Sequence, residues 1–278
     1  MRRNNEDRLM DGHKPQKTED APQMANPMDF VTPTEFVELP SKGRYPTGHP
    51  LSGQDTIEIK YMTAKDEDLL TNRSLLRKGL AIDRVVDNLI KDKSIRGESL
   101  YIGDRNAILI YARASAYGNI YKTKVTCPSC AITSKQNFDL NEHESYHGDE
   151  YQEFGIEMTK NMTFKTTLPL SKIVAEIRPL LGVDEQQMVK KNKNDKLLDN
   201  LITNQMKQFV VSFNGHDSKK IINHVIDNMT AMDSKHLRNV FKAISPDLQI
   251  KDTFECSECG HEEVMTVPFG ADFFWPNE

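Results

Sequence analysis

The chain lacks a long hydrophobic run. Nothing in its 278 residues approaches the roughly 20 consecutive apolar residues of a membrane-spanning helix, so no membrane segment is expected. It also lacks an excess of positive charge. The formal net charge is −5, which argues against general binding to nucleic acid or to anionic membranes, since both need a basic face. Arg2 and Arg3 stand near the start, but no apolar stretch follows them, so no export signal is expected. There is no glycine-rich phosphate loop and no G-x-S-x-G nucleophile motif. There is one tryptophan, and there are only four cysteines.

Those four cysteines are what the chain does have. They form two Cys-x-x-Cys pairs, Cys127–Cys130 and Cys256–Cys259. A pair of thiolates three residues apart can hold one metal ion from a tight turn, and two pairs complete a tetrahedral sulfur site for zinc. In a reducing cytoplasm this reading is preferred to disulfides. Two free redox pairs, or two reduced pairs without metal, are the alternatives. Well over a hundred residues separate Cys130 from Cys256, far more than in an ordinary zinc ribbon. Each doubling of loop length costs only about 0.6 kcal/mol of closure entropy. A structural zinc site contributes on the order of 10–16 kcal/mol, so the metal term outweighs the longer loop. Gly260 after the second pair suits the left-handed turn of a zinc knuckle, whereas Ala131 stands at the matching place in the first. A site with four thiolates is closed and leaves no coordination position for chemistry.

The remaining pattern predicts an α+β protein. A helical core would carry short antiparallel hairpins that form a split, zinc-ribbon-like site of four cysteines. Residues 1–34 are polar and nearly free of aliphatic side chains, and read as a disordered arm before one main domain at 35–278. Ile57–Tyr61 alternates as a strand does. Thr63 and Asp66 form a capping box for a short helix reaching about Asn72. Ile82, Val85, Val86, Leu89 and Ile90 make the apolar stripe of a second helix. A third is predicted from about Asp104 to Tyr117, stopped by Gly118. Hairpins are placed near 120–139 and 250–268, around the cysteine pairs, with a polar acidic insertion near 141–155. Met162–Thr166 reads as a strand, Ser171–Leu180 as a helix interrupted at Pro179, and Asp184–Lys196 as a charged, exposed stretch. Leu198, Leu201 and Ile202 suggest a helix, Phe209–Phe213 a strand before an Asn214-Gly215 turn. Ile221–Met229 and Asp233–Ile244 read as helices, the second capped by Asp233.

Two further signals point to chemistry or contact. His143-Glu144-x-x-His147 matches the zinc-protease pattern, in which two histidines one helical turn apart hold the metal and the Glu is the base. Acidic neighbours, no apolar helix face and Gly148 make a solvated loop the preferred reading. A zinc-ribbon nucleic-acid binder is the other alternative. Against it, Lys122, Lys124 and Lys135 of the first hairpin face Glu255, Glu258, Glu262 and Glu263 of the second, and their charges largely cancel if the hairpins pair. Exposed ion pairs of that kind are individually weak. Phe273, Phe274 and Trp275 either cover the protein's own core or anchor a partner, because large aromatics dominate interface hot spots.

Several segments taken together resemble one family. They are Leu39-Pro40-Ser41-Lys42-Gly43-Arg44-Tyr45-Pro46 through His49-Pro50-Leu51, Tyr61 to Asn72, Gly103-Asp104-Arg105-Asn106-Ala107-Ile108-Leu109, and the closing Cys-x-x-Cys-Gly-His segment with Phe-Phe-Trp-Pro. In their order and combination they resemble the baseplate hub and hub-assembly proteins of T4-like contractile-tailed bacteriophages, over most of residues 36–276. The resemblance implies a structural or assembly role acting through contacts with other hub or tail proteins, and no enzymatic activity. It places the chain in the host cytoplasm during assembly, and in the tail baseplate if it stays in the particle. Expected metal ligands are Cys127, Cys130, Cys256 and Cys259, with structural zinc. Expected partner contacts are Phe273, Phe274 and Trp275. No nucleic-acid or membrane partner is expected, and the sequence sets no oligomeric state.

Overall fold

The computed structural model describes residues 30–78, 80–152, 154–194, 201–267 and 271–274. Residues 1–29 of the expected arm, together with Leu198 and Trp275, lie outside the described residues. The fold below is that of the unit Pro33–Glu278.

An antiparallel pair opens it: β1 (Thr34–Glu38) and β2 (Thr56–Lys60), with Thr34 opposite Lys60. The alternation that predicts β2 is visible as burial of Ile57 and Ile59. Helix α1 (Ala64–Thr71) follows, and the Asp66 carboxylate accepts from the Thr63 backbone N–H at 2.9 Å, as the capping-box sequence requires. After α2 (Arg73–Lys78), α3 (Ala81–Leu89) buries Val85, Val86 and Leu89 along one stripe. Ile90 leaves the helix and bridges to Ile59.

The central helix α4 (Ile102–Tyr117) buries Ala107, Ile108, Ile110 and Ala112 and ends at Gly118. It leads into the hairpin β3 (Ile120–Thr126) and β4 (Thr133–Asp139), which carries the first cysteine pair between its strands. The next segment corrects an expectation. Instead of a solvated loop, or a helix that would make His143-Glu144-x-x-His147 a metal site, β5 (His143–Tyr146) forms and pairs antiparallel with β10 (Asp247–Glu255). Long-range strand pairing overrides the local acidic character.

A second layer follows. β6 (Glu157–Met158), β7 (Phe164–Thr167), β8 (Val174–Ile177) and β9 (Val210–Phe213) form an antiparallel sheet in that order. The helix expected over Ser171–Leu180 is replaced by β8. Ala175 and Ile177 point inward at period two, and pairing with β7 on one side and β9 on the other fixes the strand. The charged stretch after it is helical: α5 spans Gly182–Asn194. α6 (Leu201–Phe209) runs into β9, whose Asn214-Gly215 turn has both residues at positive φ. α7 (Lys219–Asp227) and α8 (Ala231–Ile244) complete the layer. Asp233 is not the cap of α8. Thr230 is, and the Asp233 carboxylate instead accepts from the Leu170 and Ser171 amides at 2.8 and 3.1 Å, tying the β7–β8 turn to the helix.

These elements bury two hydrophobic clusters. One gathers β1, β2, α1, α3, α4, the cysteine hairpins and β10. The other lies between the β7–β9 sheet and α6, α7 and α8. Chain passes between them through the α8–β10 link. There the backbone of Pro246 and Asp247 crosses α4 at Gly103, where a Cβ would stand 2.1 Å from the Pro246 carbonyl oxygen and 2.8 Å from the Asp247 Cα. The obstacle is backbone, which cannot swing aside as a side chain does. Gly103→Ala is expected to cost about 2–3 kcal/mol by overpacking, measured by chemical denaturation.

Candidate metal centre

β10 continues from its pairing with β5 into a hairpin with β11 (Glu262–Thr266), where Lys251 faces Thr266 and Glu255 faces Glu262. The second cysteine pair sits at this hairpin's tip. The β3–β4 hairpin and the β11–β10–β5 sheet are separate sheets, yet their tips meet.

The two tips are built alike. The Cys127 amide donates to the Ile132 carbonyl and the Ala131 amide to the Cys127 carbonyl, both at 2.9 Å. The Cys256 and Gly260 amides repeat the pattern onto His261 and Cys256, again at 2.9 Å. The left-handed turn falls on Ala131 at φ 59° in the first tip and on Gly260 at φ 67° in the second. Ala131 therefore adopts the glycine-like conformation without being glycine. That strain, set against the greater entropy of glycine in the unfolded chain, predicts that Ala131→Gly stabilises by about 0.5–1 kcal/mol, while Gly260→Ala costs a similar amount. Thermal denaturation of the metal-loaded protein checks both.

All four sulfurs lie within 4.8 Å of one another. Cys127 Sγ is 3.7 Å from Cys259 Sγ, and Cys130 Sγ is 3.7 Å from Cys256 Sγ. Four thiolates each about 2.3 Å from a central zinc sit about 3.8 Å apart, so the observed spacing fits a tetrahedral sulfur cage. It is far longer than a disulfide bond, about 2.05 Å. Cys127 and Cys256 are buried, Cys130 is half-buried and Cys259 is exposed. Amides of Glu258 and Cys259 hold the Cys256 thiol down to about 7, so it is ready to bind as thiolate. The Ile132 amide pulls Cys130 the same way, but desolvation and the thiols of Cys259, Cys127 and Cys256 push it up to about 12. Such crowding of sulfur ligands is what a shared cation relieves. The donor set is all sulfur and contributed wholly by the chain.

The charges expected to bridge the hairpins do not do so. Among the described residues no ion pair joins Lys122, Lys124 or Lys135 to the glutamates of the second hairpin. A Gln136 Nε2 to Glu255 carbonyl hydrogen bond of 3.3 Å connects them instead. Phe273 and Phe274 are each 4% exposed and pack in the chain's own core. Phe273 meets Tyr121 edge to face at 5.1 Å, and its carbonyl accepts from Nε of the buried Arg113 at 2.8 Å. Sequence reasoning missed Arg113, because an arginine inside an apolar helix reads as a surface residue until its partner 160 positions away is in place.

The histidine motif is dispersed. One ring nitrogen of His143 lies 3.1 Å from the Leu140 carbonyl and the other 3.5 Å from the Tyr111 hydroxyl. His147 sits 2.9 Å from the Pro40 carbonyl, and Glu144 pairs with Lys251 at 2.7 Å. Residues four apart along extended chain are separated by about 13 Å, too far to share a metal. Glu144 lines a groove of about 940 Å³ with Asn106, Tyr146, Phe241, Lys242 and Gln249. Among the described residues only the four cysteines form a candidate metal cluster, and no helix is long and apolar enough to cross a membrane.

The chain is a mixed α+β unit whose remote hairpins bring four cysteine sulfurs together in a cluster that could hold a metal ion. Over residues 32–275 the chain matches the model of a family described as T4 bacteriophage base plate protein, and it belongs to that family. It is thus a phage baseplate protein, of a structural family that works in the virion tail among other tail and baseplate proteins. No curated protein and no solved structure matches it significantly.

Proposed function

We propose that this chain is a structural or assembly protein of the baseplate hub, acting through protein–protein contacts while the tail is built in the host cytoplasm. Family membership over residues 32–275 carries the reading. Within the fold, the segments that resemble hub proteins support it, because two of them meet. Ser41 and Tyr45 of the first segment both donate to Asp104 of the third. They build scaffold, not a cleft. One zinc ion held by Cys127, Cys130, Cys256 and Cys259 acts as a clasp between chain segments far apart in sequence. When bound, the metal supplies four bonds to thiolate and no open position for substrate.

Mass spectrometry of purified particles and of isolated baseplates tests this. Peptides of the chain in the hub fraction are expected. Their absence from particles, combined with failed baseplate assembly when the chain is deleted, assigns the assembly-factor form. Normal baseplates without the chain would sink both forms.

A further inference from the structure

We propose that this protein self-associates head to tail, the basic outer face of the β3–β4 hairpin docking on the acidic outer face of the β10–β11 hairpin of a second copy. The inference goes beyond the hub reading and does not depend on it.

It starts from strand register. On β3 and β4 the inward positions are Tyr121, Val125 and Phe138, and the outward ones carry Lys122, Lys124 and Lys135. Lys124 stands directly opposite Lys135. On β10 the inward positions are Leu248, Ile250 and Phe254; on the exposed side Glu255 stands directly opposite Glu262 of β11, while Lys251 is neutralised by its ion pair with Glu144. Like charges facing each other across an antiparallel pair destabilise it. Each hairpin therefore carries one such repulsive pair, and the two pairs have opposite sign. Among the described residues, none of Lys122, Lys124, Lys135, Glu255, Glu258 and Glu262 has an ion-pair partner.

Each charged face also holds an exposed aliphatic side chain. Ile120, 49% exposed, lies on the outer side of β3, and Val264, 66% exposed, lies opposite Thr253 on β11. An apolar spot ringed by charge is the anatomy of a docking face. The hairpins of one chain meet at their knuckles, and among the described residues nothing covers these outer faces. A second copy supplies the complementary face to each. The net charge of −5 opposes association at long range, but salt screens that repulsion beyond about 8 Å at physiological ionic strength. Contact pairs survive at shorter range. Because the two faces differ, the contact is heterologous and leaves one of each face free, so it propagates into a ring or an open chain.

Sedimentation velocity on the full zinc-loaded chain tests the proposal. Concentration-dependent association is expected at about 0.15 M salt, weakening toward about 0.5 M. The double reversal Lys124→Glu/Lys135→Glu leaves both faces acidic, and Glu255→Lys/Glu262→Lys leaves both basic. Each alone is expected to raise the apparent Kd at least about tenfold, and an equimolar mixture of the two is expected to associate again. Circular dichroism and zinc content confirm folding. Should either reversal fail to fold, Lys124→Gln/Lys135→Gln carries the same test. A wild type that stays monomeric to several hundred micromolar, roughly the range of weak encounter complexes, overturns the proposal. So does self-association unchanged by the reversals. Wild type that binds a single-stranded oligonucleotide through these lysines without self-associating also overturns it, in favour of a nucleic-acid face.

Discussion

Cys256→Ser is expected to strip the metal and unclasp the hairpins. Serine offers a hard, protonated hydroxyl where zinc needs a soft thiolate. Cys256 is buried just past the end of β10, its sulfur lies 3.7 Å from that of Cys130 on the other hairpin, and among the described residues no further side chain joins the four-cysteine cluster. The binding energy of a structural zinc site, on the order of 10–16 kcal/mol, rivals the whole stability of an ordinary domain, about 5–15 kcal/mol. Even a partial loss of about 5 kcal/mol lowers the melting temperature by about 10–20 °C for a chain of this size class. Zinc content by atomic emission should fall from one per chain to near zero. A strong chelator should lower the melting temperature of the wild type by a similar amount and leave the variant unmoved. Unchanged metal content and unchanged melting in the variant would refute the clasp.

The clasp matters beyond its own tips because of where β10 runs. Its first half pairs with β5 and its second half with β11. Leu248, Ile250 and Phe254 enter the same cluster as Tyr121, Val125, Phe273 and Phe274. Removal of a metal bound by the four cysteines is therefore expected to loosen the C-terminal aromatic segment as well as the knuckles, and chelator should expose Phe273 and Phe274 to hydrogen exchange or proteolysis nearby.

How much of this was legible in the sequence depended on range. The cysteine hairpins were, because alternating strands flank each pair and the thiol spacing is short and fixed. So were α4, with its apolar run and Gly118 stop, and the Asn214-Gly215 turn. These signals are local. β8 is not legible locally, because Ile173, Ala175 and Ile177 satisfy a helical or a period-two reading until β7 and β9 supply partners on both sides. The segment around His143-Glu144-x-x-His147 reads as a solvated loop for the same reason, since only pairing with β10 shows it to be a strand. Asp233 looks like a cap in isolation, but its acceptors are spent on amides more than 60 positions away. Clusters of long-range hydrogen bonds around buried charge leave no periodic trace.

The largest of those clusters yields the second strong expectation, that Asp104→Ala costs about 3–5 kcal/mol. Asp104 is fully buried on α4. Its Oδ1 accepts from the Ser41 amide at 2.9 Å, and its Oδ2 accepts from the Ser41 hydroxyl and the Tyr45 hydroxyl, each at 2.6 Å. The Tyr45 hydroxyl in turn accepts from the Tyr101 amide at 3.0 Å, and the Tyr45 ring is stacked between His49 and Tyr101. One carboxylate thus pins the loop between β1 and β2 to the start of α4. Alanine leaves three buried donors without an acceptor. Asp104→Asn keeps the shape and one acceptor oxygen, and should lose clearly less. The pH dependence separates charge from packing. Burial raises the Asp104 carboxyl above its ordinary value, against the lowering effect of hydrogen bonds from Ser41 and Tyr45. A carboxyl raised in the folded state binds more protons there than in the unfolded chain. Stability from this group is therefore greatest below about pH 4, and it falls as pH rises from there through the raised folded value. Urea denaturation of wild type and Asp104→Asn from acid to neutral pH should show the wild-type advantage shrinking as pH increases. A difference that is flat in pH would mean that Asp104 acts by shape alone.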